Sequence, residues 1–336
     1  MGKIIFAEKY EDVISVENLL EAWKEFLPGK KSKPGVQEFG RNLMGNLFAL
    51  HESLVDMSYR PDPYETFIVN DPKRRQIHKA SVRDRVLHRA LYRKLYPFFD
   101  RMFIADSFSC RLNKGTHRAN DRFKRMASEV SVNHRKTVWV LKCDVRKFFA
   151  SIDQRVLLQI LDDRISDWRI LWLIQQIIES FSTSSNSVGL PLGNLTSQIF
   201  ANVYMNELDQ YVKHRLHIKH YVRYADDFVF LSRDLGYLES ILPLIQKFLD
   251  SQLRLVLHPQ KIELKTVASG VDFLGCVHFS DHRVLRGSTK RRMMRALGAE
   301  SNENVFASYL GLLTHGNGFG LSEAIQISQL KGGSLA

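Results

Sequence analysis

Asp226 and Asp227 stand side by side in YVRYADDFVFL, residues 221–231, with apolar and aromatic residues on either side. Two like charges in an apolar setting repel each other and lose hydration. Either the pair faces water in a turn, or something positive answers it. A third carboxylate, Asp144, ends the apolar run WVLKCD. If the strands carrying these residues are neighbours in one sheet, three carboxylates meet at one edge. That arrangement is poor for stability without cations. It suits Mg²⁺, which prefers oxygen ligands and bridges protein carboxylates to substrate phosphates. Two such ions, about 4 Å apart, activate an attacking hydroxyl and stabilise a leaving pyrophosphate. Each piece alone has a plainer reading: a solvated Asp-Asp turn, a strand-end aspartate capping the next turn, or an Arg or Lys satisfying the charge. The combination carries the metal reading.

The elements that must position these residues belong to a chain of 336 residues, 44% hydrophobic and 25% charged. That is an ordinary soluble composition, with enough apolar residues for a sizeable core. Lys and Arg number 48 against 36 Asp and Glu, a net charge of +12. A basic surplus of this size suits a polyanion, usually nucleic acid and sometimes an anionic membrane. Cys110, Cys143 and Cys276 are far apart, with no zinc-ligand spacing and no disulfide framework. A reducing, cytoplasmic setting is expected. The N-terminus lacks the pattern of a signal peptide, and no apolar run is long enough for a membrane span.

Residues 10–58 read as helices interrupted at PGKKSKPG. YETFIVNDPKRRQIHKA reads as a hairpin with a basic second arm, and SVRDRVLHRALYRKLYPFF as a helix with Val86, Leu87, Ala90, Leu91 and Leu95 toward a core. TVWVLKCD is a buried strand. QRVLLQILDDRI, RILWLIQQIIESF and LTSQIFANVYMNELDQYVKHRL are helices. HYVRYADDFVFLS is strand, turn, strand, and YLESILPLIQKFLDSQL is a further helix. LVLHPQKIEL and VDFLGCVHF read as strands, and the last fifty or so residues as mostly helical. The order is a helical start, a mixed α+β centre and a helical end.

These segments, in this order, resemble reverse transcriptases. YADD matches their catalytic motif, and LKCDVRKFFASID resembles the motif of their first aspartate. GLPLGNLTSQIFANVYMNELD resembles the motif that faces the nucleotide. HPQKIEL and VDFLGCVHF resemble the next two palm motifs, and NDPKRRQIHKASVRDRVLHRAL the fingers motifs of group II intron-like bacterial enzymes. The likeness covers about residues 60–285. Within that group, LGNLTSQ replaces the common Gln-Gly-x-x-x-Ser-Pro. An apolar residue before the glycine and Gln after the serine resemble the enzymes of diversity-generating retroelements, as do DSFSCRLNKGTHRA and SYLGLLTHGN. The Asn-Ala-x-x-His motif and the late Val-Thr-Gly of retron enzymes are missing.

The resemblance implies an α+β right-hand polymerase. Residues 1–60 would be an N-terminal helical extension and 61–138 the fingers, with 178–215 contributing to fingers and palm. Residues 139–285 would be an antiparallel-sheet palm, and 286–336 a small helical thumb and tail. Asp144, Asp226 and Asp227, with the Val145 carbonyl, would hold two Mg²⁺ ions, with Mn²⁺ as a substitute. Lys261 falls where relatives have a lysine that protonates pyrophosphate, although a solvated lysine fits that position equally. Phe149 falls at the steric gate that excludes a 2′-hydroxyl, while Phe148 reads as core. On the fingers hairpin, Arg75 and then Lys73 are the candidates for triphosphate contact, and Arg74 for nucleic acid. Leu192, Gly193 and Gln198 would face the nascent base pair. Lys290, Arg291, Arg292 and Arg295 would track duplex phosphates, or form a solvated helix face.

The implied activity is RNA-directed DNA synthesis from template RNA, a DNA or RNA primer and deoxynucleotides. Miscopying of template adenines is expected, with a small basic helical-bundle accessory protein as partner and no membrane. Two alternatives stay open: a related enzyme of anti-phage defence, and a non-catalytic RNA-binding or maturase-like protein.

Overall fold

The helical periodicity of the first sixty residues becomes four helices in the computed structural model, which describes residues 4–70, 74–183 and 187–299. They are α1 (Tyr10–Ile14), α2 (Val16–Phe26), α3 (Pro34–Arg41) and α4 (Leu43–Val55). Ser15 caps α2, its hydroxyl accepting from the Asn18 amide at 3.1 Å. Pro34 opens α3, where a missing N–H does no harm. The expected hairpin follows as β1 (Glu65–Val69) and β2 (Arg75–Lys79), antiparallel, with Val69 opposite Arg75 and Glu65 opposite Lys79. Next comes α5 (Val82–Met102), capped by Ser81, with all five expected core residues fully buried.

The centre of the chain runs α6 (Thr116–Val130), β3 (Trp139–Asp144), α7 (Phe148–Ser151), α8 (Gln154–Asp162), α9 (Trp168–Glu179) and α10 (Leu195–Gln210). A π-helical turn, Tyr211–Arg215, extends α10. Then come β4 (Tyr221–Tyr224), β5 (Asp227–Ser232), α11 (Leu235–Leu253), β6 (Glu263–Thr266), β7 (Val271–Phe273), β8 (Cys276–His278), β9 (Arg283–Leu285) and α12 (Gly287–Ala299). Among the described residues Cys110, Cys143 and Cys276 are free thiols.

One local expectation is corrected. LVLHPQKIEL is not one strand: Leu257 makes a single bridge to Val145, Pro259 starts a 3₁₀ turn through Lys261, and the ladder with β3 begins only at Glu263. Proline has no N–H to donate to a ladder. A bridge residue and a short turn separate β3 from α7, where Phe148 is buried. The late segments SYLGLLTHGN and KGGSLA lie outside the described residues.

The described residues form two compact units. The first takes them from 1–105, 145–217 and 245–257, and the second from 106–144, 218–244 and 258 onward. In the first unit, α5 packs against α1, α2, α3 and α10. Asn18 fixes one of these crossings, its side-chain amide donating to the carbonyls of Val13 (2.7 Å) and Ala90 (3.2 Å).

The second unit holds a four-stranded antiparallel sheet in the order β4-β5-β3-β6, and a three-stranded sheet β7-β8-β9. Alternation gives the larger sheet two different faces. One buries Leu141, Cys143, Tyr221, Phe228 and Phe230, with Tyr221 stacked on Phe230. The other has an apolar far end, where Val140, Val222, Val229 and Leu231 pack with Phe123, Met126 and Val130 of α6. Lys142, Asp144 and Asp227 occupy its near end.

Candidate active site

Asp144 is the last residue of β3 and Asp227 the first of β5, and the register sets them directly opposite each other. Asp226 is the second residue of the two-residue turn that joins β4 to β5. The sheet therefore brings the expected carboxylates to one edge. Among the described residues, no three His, Cys, Asp or Glu side chains already stand in metal-holding geometry. Cations answer part of the charge. Lys261 Nζ lies 2.6 Å from Asp144 Oδ1. Lys142, buried on the carboxylate face two residues before Asp144, stands 4.0 Å from Glu263, which Lys265 also pairs at 2.6 Å.

Asp227 is incompletely compensated. Its Oδ1 is buried and accepts no hydrogen bond. Burial pushes its carboxyl up to about 7; Asp144 and Asp226 add to the rise, and Lys142 and Lys261 oppose it. An orphaned buried carboxylate oxygen beside two other carboxylates is an unfavourable arrangement for a bare protein. All of these donors are hard oxygens, the kind that Mg²⁺ takes. The residues present therefore fit a hard divalent cation, provided Asp144 releases Lys261.

Val145 follows Asp144 and is buried, bridged to Leu257. His258, beside the same strand end, donates its backbone N–H to the Asp144 carbonyl at 2.8 Å.

A second set of expected residues lies in the other unit. Gly193 has φ 113°, a region that favours glycine, and a Cβ there would stand 2.8 Å from Ile77 Cγ2. On either side of it, the His78 amide donates to the Leu192 carbonyl at 3.0 Å, and the Asn194 side chain donates to the His78 carbonyl at 3.0 Å. The glycine thus lets the loop seat against β2. Leu192 and Gln198 are half-buried. Phe149 is half-buried and edge-on to Phe148, with ring centroids 5.4 Å apart. Arg74 and Arg75 are exposed on the hairpin, while Lys73 lies outside the described residues. On α12, Lys290, Arg291 and Arg295 are exposed, Arg292 is half-buried and Met293 is buried.

Sequence reasoning missed Lys142 and Glu263. Lys142 interrupts an apolar strand, and strand alternation from Asp144 would have placed it on the carboxylate face.

Residues 69–278, well over half the chain, match the family described as reverse transcriptase (RNA-dependent DNA polymerase). The chain belongs to this family. Its chemistry is RNA-directed DNA polymerisation, a nucleotidyl transfer. Among relatives, it is 25% identical to protein YkfC of Escherichia coli over 88% of each chain. It is 24% identical to the group II intron-encoded protein LtrA of Lactococcus lactis subsp. cremoris, over 48% of this chain and 27% of that one. The chain thus spans nearly all of the first relative and about a quarter of the second. In fold it is similar to telomerase from Candida albicans, solved with a fragment of telomeric RNA. That likeness has a TM-score of 0.51 and 11% identity, over 75% of this chain and 54% of that chain. Among the described residues, no helix is long and apolar enough to cross a membrane.

Proposed function

We propose that this reverse transcriptase copies a template RNA into cDNA at Asp144, Asp226 and Asp227, and that it is of the diversity-generating type. The observation that carries the catalytic reading is the Asp144–Asp227 pairing, with the Asp227 Oδ1 left unbonded beside it. Two Mg²⁺ ions would be held by the three aspartates and the Val145 carbonyl, with Mn²⁺ able to substitute. When bound, such ions supply the charge that activates the primer hydroxyl and stabilises the departing pyrophosphate.

The chain's own residues do the rest. Lys261 exchanges its contact with Asp144 for the pyrophosphate and delivers a proton to it. Phe149 lies under the incoming sugar and leaves no room for a 2′-hydroxyl. Arg75 and Lys73 hold the triphosphate, and Arg74 a nucleic-acid phosphate. Gly193 and Gln198 approach the nascent pair, where Leu192 offers shape and a dry surface. Lys290, Arg291, Arg292 and Arg295 follow duplex phosphates. The sheet of the second unit is then the palm, the β1–β2 hairpin belongs to the fingers, and α12 opens the thumb.

Leu192 supports the diversity-generating type. Relatives with Gln there can hydrogen-bond the nascent pair; Leu cannot, and a lost bond removes discrimination on the order of 1 kcal/mol. A small basic helical-bundle protein and a structured RNA are the proposed partners, and the cytoplasm the proposed location.

Primer extension on an RNA template with Mg²⁺ and deoxynucleotides, wild type beside Asp226→Asn, tests the reading. Extension should vanish in the variant, and sequenced cDNA should carry errors opposite template adenines. Faithful cDNA would favour a defence-type enzyme. Extension that persists in Asp226→Asn would remove the aspartates from the chemistry.

A further inference from the structure

Tyr224 pairs with Asp227, so only Ala225 and Asp226 make the turn that presents the carboxylates. Turns this tight need φ > 0, which Gly or Asn usually supplies. Here an alanine supplies it, at φ 54°. A side chain is uncommon in that region, and such positions persist where the surroundings over-determine them.

Arg223 supplies the constraint. Its Nη1 donates to the Ala225 carbonyl at 3.0 Å. The side chain is fully buried, on the sheet face shared with Tyr221, Phe228 and Phe230 and opposite the carboxylates. Packing alone would be served there by an apolar residue, and a guanidinium gives up its hydration to occupy the site. The strand beneath it is anchored as well. The Arg223 amide donates to the Asp106 carbonyl, and its own carbonyl accepts from the Phe108 amide, both at 3.0 Å. Arg122 in turn holds the Asp106 carboxylate at 2.7 Å. One end of Arg223 is thus tied to residues 106–108, and the other to the turn.

We infer that Arg223 is a positioning residue for the reaction. By holding the Ala225 carbonyl it keeps the turn in its strained conformation, and so keeps Asp226 and Asp227 aligned with Asp144. The inference rests on the proposed catalytic role of the three aspartates.

The test makes Arg223→Met and Arg223→Lys, each alone and combined with Ala225→Gly, with Asp226→Asn as control. Steady-state primer extension gives kcat and KM, and electron paramagnetic resonance follows Mn²⁺ binding to the purified protein. Arg223→Met should lower kcat on the order of a hundredfold, as a small misplacement of reacting groups does. KM for primer–template should stay put, and Mn²⁺ binding should weaken. Measured within the Ala225→Gly background, the loss should shrink to about tenfold or less, because glycine accepts the turn unaided. Equal losses in both backgrounds, with Mn²⁺ binding unaltered, would make Arg223 a packing residue and overturn the inference. If Arg223→Met fails to fold, Arg223→Lys carries the same comparison. Activity in Asp226→Asn would instead overturn the catalytic reading, a separate result.

Discussion

Lys261 Nζ rests 2.6 Å from Asp144 Oδ1, so an ammonium contacts the carboxylate proposed to bind metal. The contact is partly exposed, which limits its contribution to stability. Its consequence lies in competition, since a cation arriving at Asp144 must displace Lys261. Lys261→Met should therefore tighten Mn²⁺ binding several-fold, as read by paramagnetic resonance. It should also lower kcat by on the order of a hundredfold if Lys261 delivers the proton to pyrophosphate. Binding and turnover moving in opposite directions is the expected signature. A variant with normal turnover would leave Lys261 as a counter-ion only.

Gly193 sits at φ 113° with its loop bonded on both sides to His78. Gly193→Ala adds a methyl group 2.8 Å from Ile77 Cγ2 and forces an L-residue into a region it avoids. The Ile77 side chain can shift, but the backbone cannot change without losing the His78 bonds. We expect a loss of about 1–3 kcal/mol in chemical denaturation. Wild-type stability in that variant would mean that the loop readily adopts another conformation.

The carboxylate edge was legible because one apolar strand ends at an aspartate and another begins at one, and alternation plus pairing carries Asp144 opposite Asp227. The hairpin and α5 were legible for the same reason: their periods match their burial. Arg223 was hidden because its importance comes from a turn two residues away and from the φ of Ala225, neither of which a pattern of apolar residues reveals. Across His258–Lys261 the apolar flanks read as one strand, but Pro259 has no N–H for a ladder and starts a 3₁₀ turn instead. A second reason for Gly193, the seating of its loop against Ile77 and His78, comes from a strand distant in sequence, so no local pattern reveals it.

His88 and His278 predict acid lability. Burial lowers both imidazoles, with nearby Arg85 adding to His88 and Arg283 to His278; they fall to about 4 and about 3. Asn120 Oδ1 lies 2.9 Å from His278 Nε2, while His88 Nδ1 is buried without a partner. Above pH 6.5 both imidazoles are neutral whether the chain is folded or not. Below it the unfolded chain binds protons that the folded chain refuses, so stability falls as pH drops, until the folded pKa values are reached. At pH 5 the expected loss is about 2 kcal/mol for each histidine. Denaturation at pH 7 and pH 5 measures it, and His88→Leu should flatten the dependence. An unchanged slope in that variant would assign the lability elsewhere.

Phe149 and Leu192 predict separable effects on what is polymerised. Phe149 is half-buried and lies edge-on to Phe148. Phe149→Val removes the far part of that ring and should admit ribonucleotides, raising their kcat/KM relative to deoxynucleotides by on the order of a hundredfold. Base errors should hardly move. Leu192→Gln places a polar group where the chain has an apolar one, and should lower errors opposite template adenine by about fivefold, equivalent to about 1 kcal/mol of discrimination. Sugar choice should hardly move. Sequenced cDNA from mixed-nucleotide reactions reads both at once. An unchanged error spectrum in Leu192→Gln would remove Leu192 from the account of fidelity, and unaltered sugar selection in Phe149→Val would leave Phe149 as a core residue beside Phe148.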